Sequence, residues 1–206
     1  MDASFLARGL AVGFTVAAAV GPISLLVIRR TLAHGRVYGL ASGSGVALAD
    51  ASYGGIAAFG LTAVTAVLVG AKVPLALIGG GFLIWLAIRM ILAPAPSHEA
   101  EVRERPGLAG AFLSIYGLTM TNPMTIISFL GIFSGLGLAG GSGIEAALLT
   151  VGVFLGSGSW WVLLTAVIGR VRHRLTPTVM LWINRVCGAI LCAFGLAAIA
   201  VALGLL

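Results

Sequence analysis

The sequence predicts an all-α, polytopic membrane protein: six transmembrane helices arranged as two inverted three-helix repeats. Three observations predict it. The 206 residues are 60% hydrophobic and 9% charged, with a mean hydropathy of +1.13, whereas a soluble domain carries about 25% charged residues. The charge lies in short links between apolar stretches, each long enough for the roughly 20 residues that cross a bilayer as a helix. Several elements of the first half recur, in order, in the second.

The first helix is predicted over residues 5–28, followed by the polar link Arg29–Arg36. The second runs from Val37 to about Ala63. Lys72 and Pro74 mark the next turn, and the third helix covers Pro74–Leu92. The longest polar link, Pro94–Pro106, separates the halves, and Pro106 suits the first turn of the fourth helix, which runs to Gly135. A glycine-rich link over residues 135–143 leads to a fifth helix over Ile144–Ile168, ended by Arg170-Val-Arg-His-Arg174. Thr176-Pro177 reads as a cap and first turn for a sixth helix that continues to the C-terminus. The organisation is thus 1–93 as first repeat, 94–106 as linker and 107–206 as second repeat. The N-terminus does not read as a signal peptide, since Asp2 is its first charge and the rest of the chain is equally apolar.

Lys and Arg in short loops set orientation. The first, third and fifth links hold Arg29, Arg30, Arg36, Arg89, Arg103, Arg105, Arg170, Arg172 and Arg174, while the other side holds Arg8 and Lys72 and the sixth helix holds Arg185. This bias places the odd-numbered links, including 94–106, in the cytoplasm and both termini outside, in a cytoplasmic (inner) membrane. The net charge of +6 therefore reads as topology, and no nucleic-acid partner is expected because no soluble basic face exists to bind one. Cys187 and Cys192 lie five apart in one helix and cannot bridge. They read as packing residues.

The first helix carries Gly21-Pro22 at its centre, and the fourth carries Thr121-Asn122-Pro123. Proline lacks the N–H that the carbonyl four residues back would accept from, and its ring clashes with that carbonyl. In lipid such a break is tolerated only where it faces protein or a water-filled cavity. Both breaks fall in the first helix of their half, 101 residues apart. Gly45-Val-Ala-Leu-Ala-Asp-Ala-Ser-Tyr53 recurs as Gly152-Val-Phe-Leu-Gly-Ser-Gly-Ser-Trp160 at an offset of 107, and Gly80 and Gly188 are 108 apart. A duplicated unit of three helices must have opposite topology in its two copies, and broken helices at matching positions of inverted repeats point to a secondary transporter.

These residues resemble the lysine-exporter (LysE/RhtB) family of bacterial amino-acid effluxers. The resemblance is carried by Ala19-Val-Gly-Pro-Ile23, Ile28-Arg-Arg-Thr-Leu-Ala-His-Gly35, Gly39-Leu-Ala-Ser-Gly43 with Ala49-Asp50, Leu118-Thr-Met-Thr-Asn-Pro123, and Ile183-Asn-Arg185 with Gly188. Many members carry Pro-Gly-Pro where this chain has Val20-Gly21-Pro22. That departure sets it nearer a Val-Gly branch and leaves the substrate subclass open. The resemblance implies six helices, a homodimer, and proton-motive-force-driven export of amino acids, without a cofactor.

Asp50 is the only carboxylate well inside a predicted helix. A charge at membrane depth costs about 2.5–3.5 kcal/mol on insertion scales, so such residues usually face an internal cavity and serve a function. Its expected roles are to bind a substrate amino group or to carry the coupling proton; the structural alternative is an ion pair with Arg185. Ser157 occupies the matching position of the second half. Half-helices starting after Pro22 and Pro123 would present free N–H groups and a positive dipole end to a substrate carboxylate. Gly21, Ser24, Thr121, Asn122 and Thr125 line the breaks, and carbonyls near Ala18 and Thr119 would be freed toward an ammonium. Arg185 either reaches the interface or joins the site. Tyr53, Trp160 and Trp161 wall a cavity or simply pack. The pairs Gly9/Gly13, Gly39/Gly43, Gly131/Gly135 and Gly152/Gly156 let helices approach closely, and Gly135–Gly140 matches GxGxxG without the strand that a nucleotide site needs.

The predicted function is secondary export of amino acids or similar small zwitterions. Metal-ion export would need clustered soft or acidic ligands at membrane depth, where only Asp50 stands. An intramembrane hydrolase would need an acid–base or nucleophile pair, and no HExxH, GxSxG or intramembrane histidine is present. A purely structural membrane subunit would not need two paired helix breaks beside a buried acid.

Overall fold

The computed structural model describes residues 4–19, 21–60, 62–93, 107–135, 143–171 and 176–205. Among them the chain is helical throughout, without strands. The elements are α1 (Ser4–Ala18), α2 (Pro22–His34), α3 (Arg36–Ala58), α4 (Thr62–Gly70), α5 (Lys72–Ile91), α6 (Leu108–Met120), α7 (Pro123–Gly135), α8 (Gly143–Val171) and α9 (Pro177–Ala202). The linker 94–106, with Pro106 and His98, lies outside the described residues, as do the 136–142 link with most of the GxGxxG match, and His173.

Both proline segments break their helices. Pro22 opens α2, which turns away from α1 by 77°, and Pro123 opens α7, which turns away from α6 by 66°. Proline's fixed φ suits the first helical position, so each ring starts a new helix instead of interrupting one. The second predicted helix ends earlier than expected. α3 stops at Ala58, Gly60 takes φ 63°, and a separate nine-residue α4 comes next. A left-handed residue ends a helix wherever glycine supplies it without a Cβ clash, and the apolar stretch alone hides that stop. At α9 the expected cap forms, with Thr176 Oγ1 accepting from the Val179 N–H at 3.3 Å.

Helices α5, α8 and α9 are long and apolar enough to cross a membrane, and each bent pair, α1–α2 and α6–α7, qualifies when taken as one span. α3 has 23 residues but is not among these candidates. Its glycines, serines and Asp50 keep its hydropathy low, and α1, α2, α6, α7 and α8 all pack on it. Thirteen of its residues are buried, most of them Gly, Ala or Ser. A helix sheathed by protein need not offer lipid a continuous apolar surface.

Several helix pairs occur in matching sets, although the α2–α3 packing has no comparable α7–α8 counterpart among the described residues. α1 packs on α8 and α6 on α3; α2 packs on α8 and α7 on α3; α2 packs on α9 and α7 on α5; α3 packs on α8 and α5 on α9. The glycine contacts repeat in detail. A Cβ on Gly45 would lie 2.5 Å from the Phe112 carbonyl oxygen and 3.2 Å from the Tyr116 nitrogen. A Cβ on Gly152 would meet the Leu6 carbonyl oxygen and lie 2.9 Å from the Leu10 nitrogen. Two of the four GxxxG pairs, Gly9/Gly13 and Gly152/Gly156, thus join α1 to α8 within one chain. Where α5 crosses α9, a Cβ on Gly80 would lie 2.9 Å from the Gly195 carbonyl oxygen, while one on neighbouring Gly81 would meet nothing within 4 Å. Gly80→Ala is therefore expected to lose about 1–3 kcal/mol through overpacking. Gly81→Ala should be neutral or gain up to about 1 kcal/mol from helix propensity. Thermal unfolding of the two variants in detergent separates them.

Arg30 is a buried lock between elements. Its guanidinium donates to Ser42 Oγ at 3.0 Å, to the Ala111 carbonyl at 2.7 Å and to Ser114 Oγ at 2.9 Å, joining α2, α3 and α6. Arg29 donates through Nε to buried Asn184 Oδ1 of α9 at 3.0 Å. Both arginines count toward orientation in the sequence, and here both also tie the first half to the second.

Candidate functional site

Asp50 lies on the buried face of α3 and is 2% exposed. Its Oδ2 accepts a hydrogen bond from Ser157 Oγ on α8 at 2.7 Å. The Ser157 hydroxyl in turn accepts from the Trp161 indole N–H at 3.2 Å. An indole can only donate, and a hydroxyl has one proton and two lone pairs, so the chain runs Trp161 to Ser157 to Asp50, with the carboxylate as its final acceptor. Gly43, two turns before Asp50 on α3, makes room for this chain, since its Cβ would lie 2.5 Å from the Trp161 Cβ. Asp50 and Ser157 are the two positions that the internal repeat equates, and they touch each other.

The other predicted residues gather at the two breaks. At the first, half-buried Gly21 is extended (φ −153°, ψ −171°) and precedes Pro22, and buried Ser24 donates to the Ala19 carbonyl at 3.2 Å. A Cβ on Gly21 would meet nothing within 4 Å, so the chain there borders open space. At the second, Asn122 N–H donates to the Thr119 carbonyl at 3.2 Å, and Asn122 O accepts from the Thr125 N–H at 3.1 Å. Thr121 Oγ1 donates to the Gly117 and Leu118 carbonyls at 3.0 and 3.2 Å. The Met120 carbonyl is capped from another helix, by the Tyr53 hydroxyl at 2.5 Å. Tyr53 lies one turn after Asp50 on α3, so α3 carries both the buried acid and the cap of the second break. Arg185 is exposed and its guanidinium lies 5.7 Å from the centre of the Trp182 ring, on its own helix.

Two features escaped sequence reasoning. The roles of Tyr53 as a backbone cap and of Trp161 as a donor to Ser157 depend on which helices face each other, and aromatic residues at helical spacing carry no such signal. The sequence predicts a free carbonyl at Thr119, yet a last tight turn uses it and leaves Met120 to be capped. Losing the cap leaves a carbonyl unsatisfied in an apolar setting. Tyr53→Phe should therefore cost about 1–3 kcal/mol, read as a lower unfolding temperature with unchanged helical content.

Among the described residues, no three His, Cys, Asp or Glu side chains come together as metal ligands. The site is a buried carboxylate with hydroxyl and indole partners, on a helix that packs against both bent pairs.

The LysE type translocator family matches residues 14–201, which takes in both breaks, Asp50 and Ser157. The chain belongs to that family. It is also 29% identical over 111 residues to the Uncharacterized membrane protein YahN of Escherichia coli (strain K12). That match covers 53% of this chain and 50% of the relative, so the chain aligns with half the length of the curated relative. No solved structure matches. As a LysE type translocator the chain is a membrane protein of a family that transports small solutes.

Proposed function

We propose that this translocator exports amino acids or closely related small zwitterions across the cytoplasmic membrane, coupled to the proton motive force. The observation that carries the reading is the direct bond between Asp50 and Ser157, a buried acid set against its repeat counterpart between two broken helices. In this reading α3 is the sixth span, residues 1–93 and 107–206 are the two inverted repeats, and residues 94–106 face the cytoplasm. The matched helix pairs and the matched surroundings of Gly45 and Gly152 support it.

Substrate enters from the cytoplasm between the breaks. Its carboxylate meets first-turn N–H groups after Pro22 and Pro123, together with Asn122 and Thr125, and the Ser24 and Thr121 hydroxyls, which donate to main-chain carbonyls in this state, turn to it as the breaks open. Its ammonium replaces the Ser157 hydroxyl on Asp50. Because Asp50 is 2% exposed, substrate reaches it only when the repeats rock apart, and protonation of Asp50 from outside then releases the ammonium. Arg185, over Trp182, serves the membrane interface in this scheme and not the site.

Competition tests the recognition. In inverted vesicles carrying the protein, uptake of a transported amino acid should be blocked by other zwitterions. An amine lacking the carboxylate and a carboxylate lacking the amine should both be at least about tenfold weaker, since each forfeits one charged hydrogen bond. Equal competition by all three would refute the two-point site.

A further inference from the structure

Tyr53 and Trp160 hold equivalent positions in the two halves, 107 residues apart, but they are in different situations. Tyr53 caps the Met120 carbonyl at the end of α6. The Trp160 indole nitrogen is buried and has no hydrogen-bond partner among the described residues. A buried donor left unpaired costs the full desolvation of the group, so its position requires a reason.

The packing register supplies one. The α1 residues facing Gly152 and the α6 residues facing Gly45 are Leu6 with Leu10 and Phe112 with Tyr116, which are offset by 106. On that register Met120 corresponds to Phe14. Phe14 is indeed the neighbour of Trp160, with ring centroids 5.4 Å apart and the rings nearly perpendicular at 83°. Beyond these two residues the halves diverge. α6 ends at Met120, whereas α1 continues through Thr15–Ala18 before it breaks. The Phe14 carbonyl is thus still inside a helix, and the acceptor that Trp160 would use is occupied. That last turn already tightens, with the Ala19 N–H donating to the Val16 carbonyl at 3.3 Å, and the open space at Gly21 gives the chain room to rearrange.

We propose that the last turn of α1, Thr15–Ala18, unwinds in a second state of the protein, and that the Trp160 indole N–H then caps the Phe14 carbonyl as Tyr53 caps Met120 here. Trp160 is a positioning residue that selects between a short and a long break in the first helix. The inference rests on the inverted-repeat reading above and supplies the conformational step that rocking of the repeats requires.

Hydrogen exchange on the whole protein in lipid nanodiscs, read by mass spectrometry without substrate or gradient, tests it. In wild type, amides of residues 15–18 should exchange faster than those of residues 8–12, which lie past the unpaired first turn of the same helix. Trp160→Phe keeps a ring but removes the donor, and should slow exchange at 15–18 by about two- to tenfold. Trp160→Tyr restores a donor and should return the rate toward wild type. A turn at 15–18 as protected as residues 8–12, or equal rates in the Phe and Tyr variants, would overturn the proposal. Because no transport is measured, a chain that exchanged as expected yet carried no amino acid would refute the transport reading and leave this one standing.

Discussion

Asp50→Asn is expected to leave the fold intact and to reduce transport by about 10- to 100-fold, the effect of losing one charged hydrogen bond to the substrate. The amide oxygen still accepts from Ser157, so the Trp161–Ser157 chain retains its end. Removing a charge from membrane depth should keep the unfolding temperature at or above that of wild type. The residual flux should no longer respond to a proton gradient, because the group that gains and loses the proton is gone. Inverted vesicles energised by respiration give both readouts, rate and gradient dependence, on one preparation. Full, gradient-dependent transport by the variant would remove Asp50 from its assigned role.

The second large effect concerns the fold. Gly152→Leu should prevent the native structure from forming. At Gly152 even a bare Cβ would lie 2.9 Å from both the Gly9 Cα and the Leu10 nitrogen, and closer still to the Leu6 carbonyl oxygen. These are backbone atoms that no rotamer change can move. Overpacking a core costs about 1–3 kcal/mol when side chains can yield, and more when they cannot. Gly158, one and a half turns further along α8, is the control, since a Cβ there would meet nothing within 4 Å. Gly158→Leu should insert and elute as a monodisperse species from size exclusion, while Gly152→Leu should aggregate. Comparable behaviour of the two would mean that α1 and α8 do not pack through their glycines.

Much of this was legible in the sequence because it depends on local chemistry. Pro22 and Pro123 each deprive a helix of a backbone hydrogen bond and so kink or break it, and in the structure both begin new helices. Asp50 and Ser157 could be paired from the repeat alone, although the repeat says nothing of their being in contact. Thr176-Pro177 announces the start of α9. What stayed hidden depends on packing. Gly60 is one of 30 glycines, and only its left-handed φ marks the end of α3. Arg30 reads as a topological charge until three neutral acceptors on two other helices surround it. The prolines suggest an offset of 101 between halves, yet the glycine faces mesh at 106 to 107, so the arm before Pro22 is about one turn longer than the arm before Pro123. That difference is invisible until the helices are in contact.

The central claim, that a proton gradient drives small zwitterions through the site between the two breaks, is tested most directly in proteoliposomes of the purified protein. A pH gradient is imposed, and accumulation of each of the twenty amino acids is monitored. At least one should accumulate above its equilibrium level and leak back when a protonophore collapses the gradient. No accumulation of any of them, or a flux indifferent to the gradient, would contradict the account.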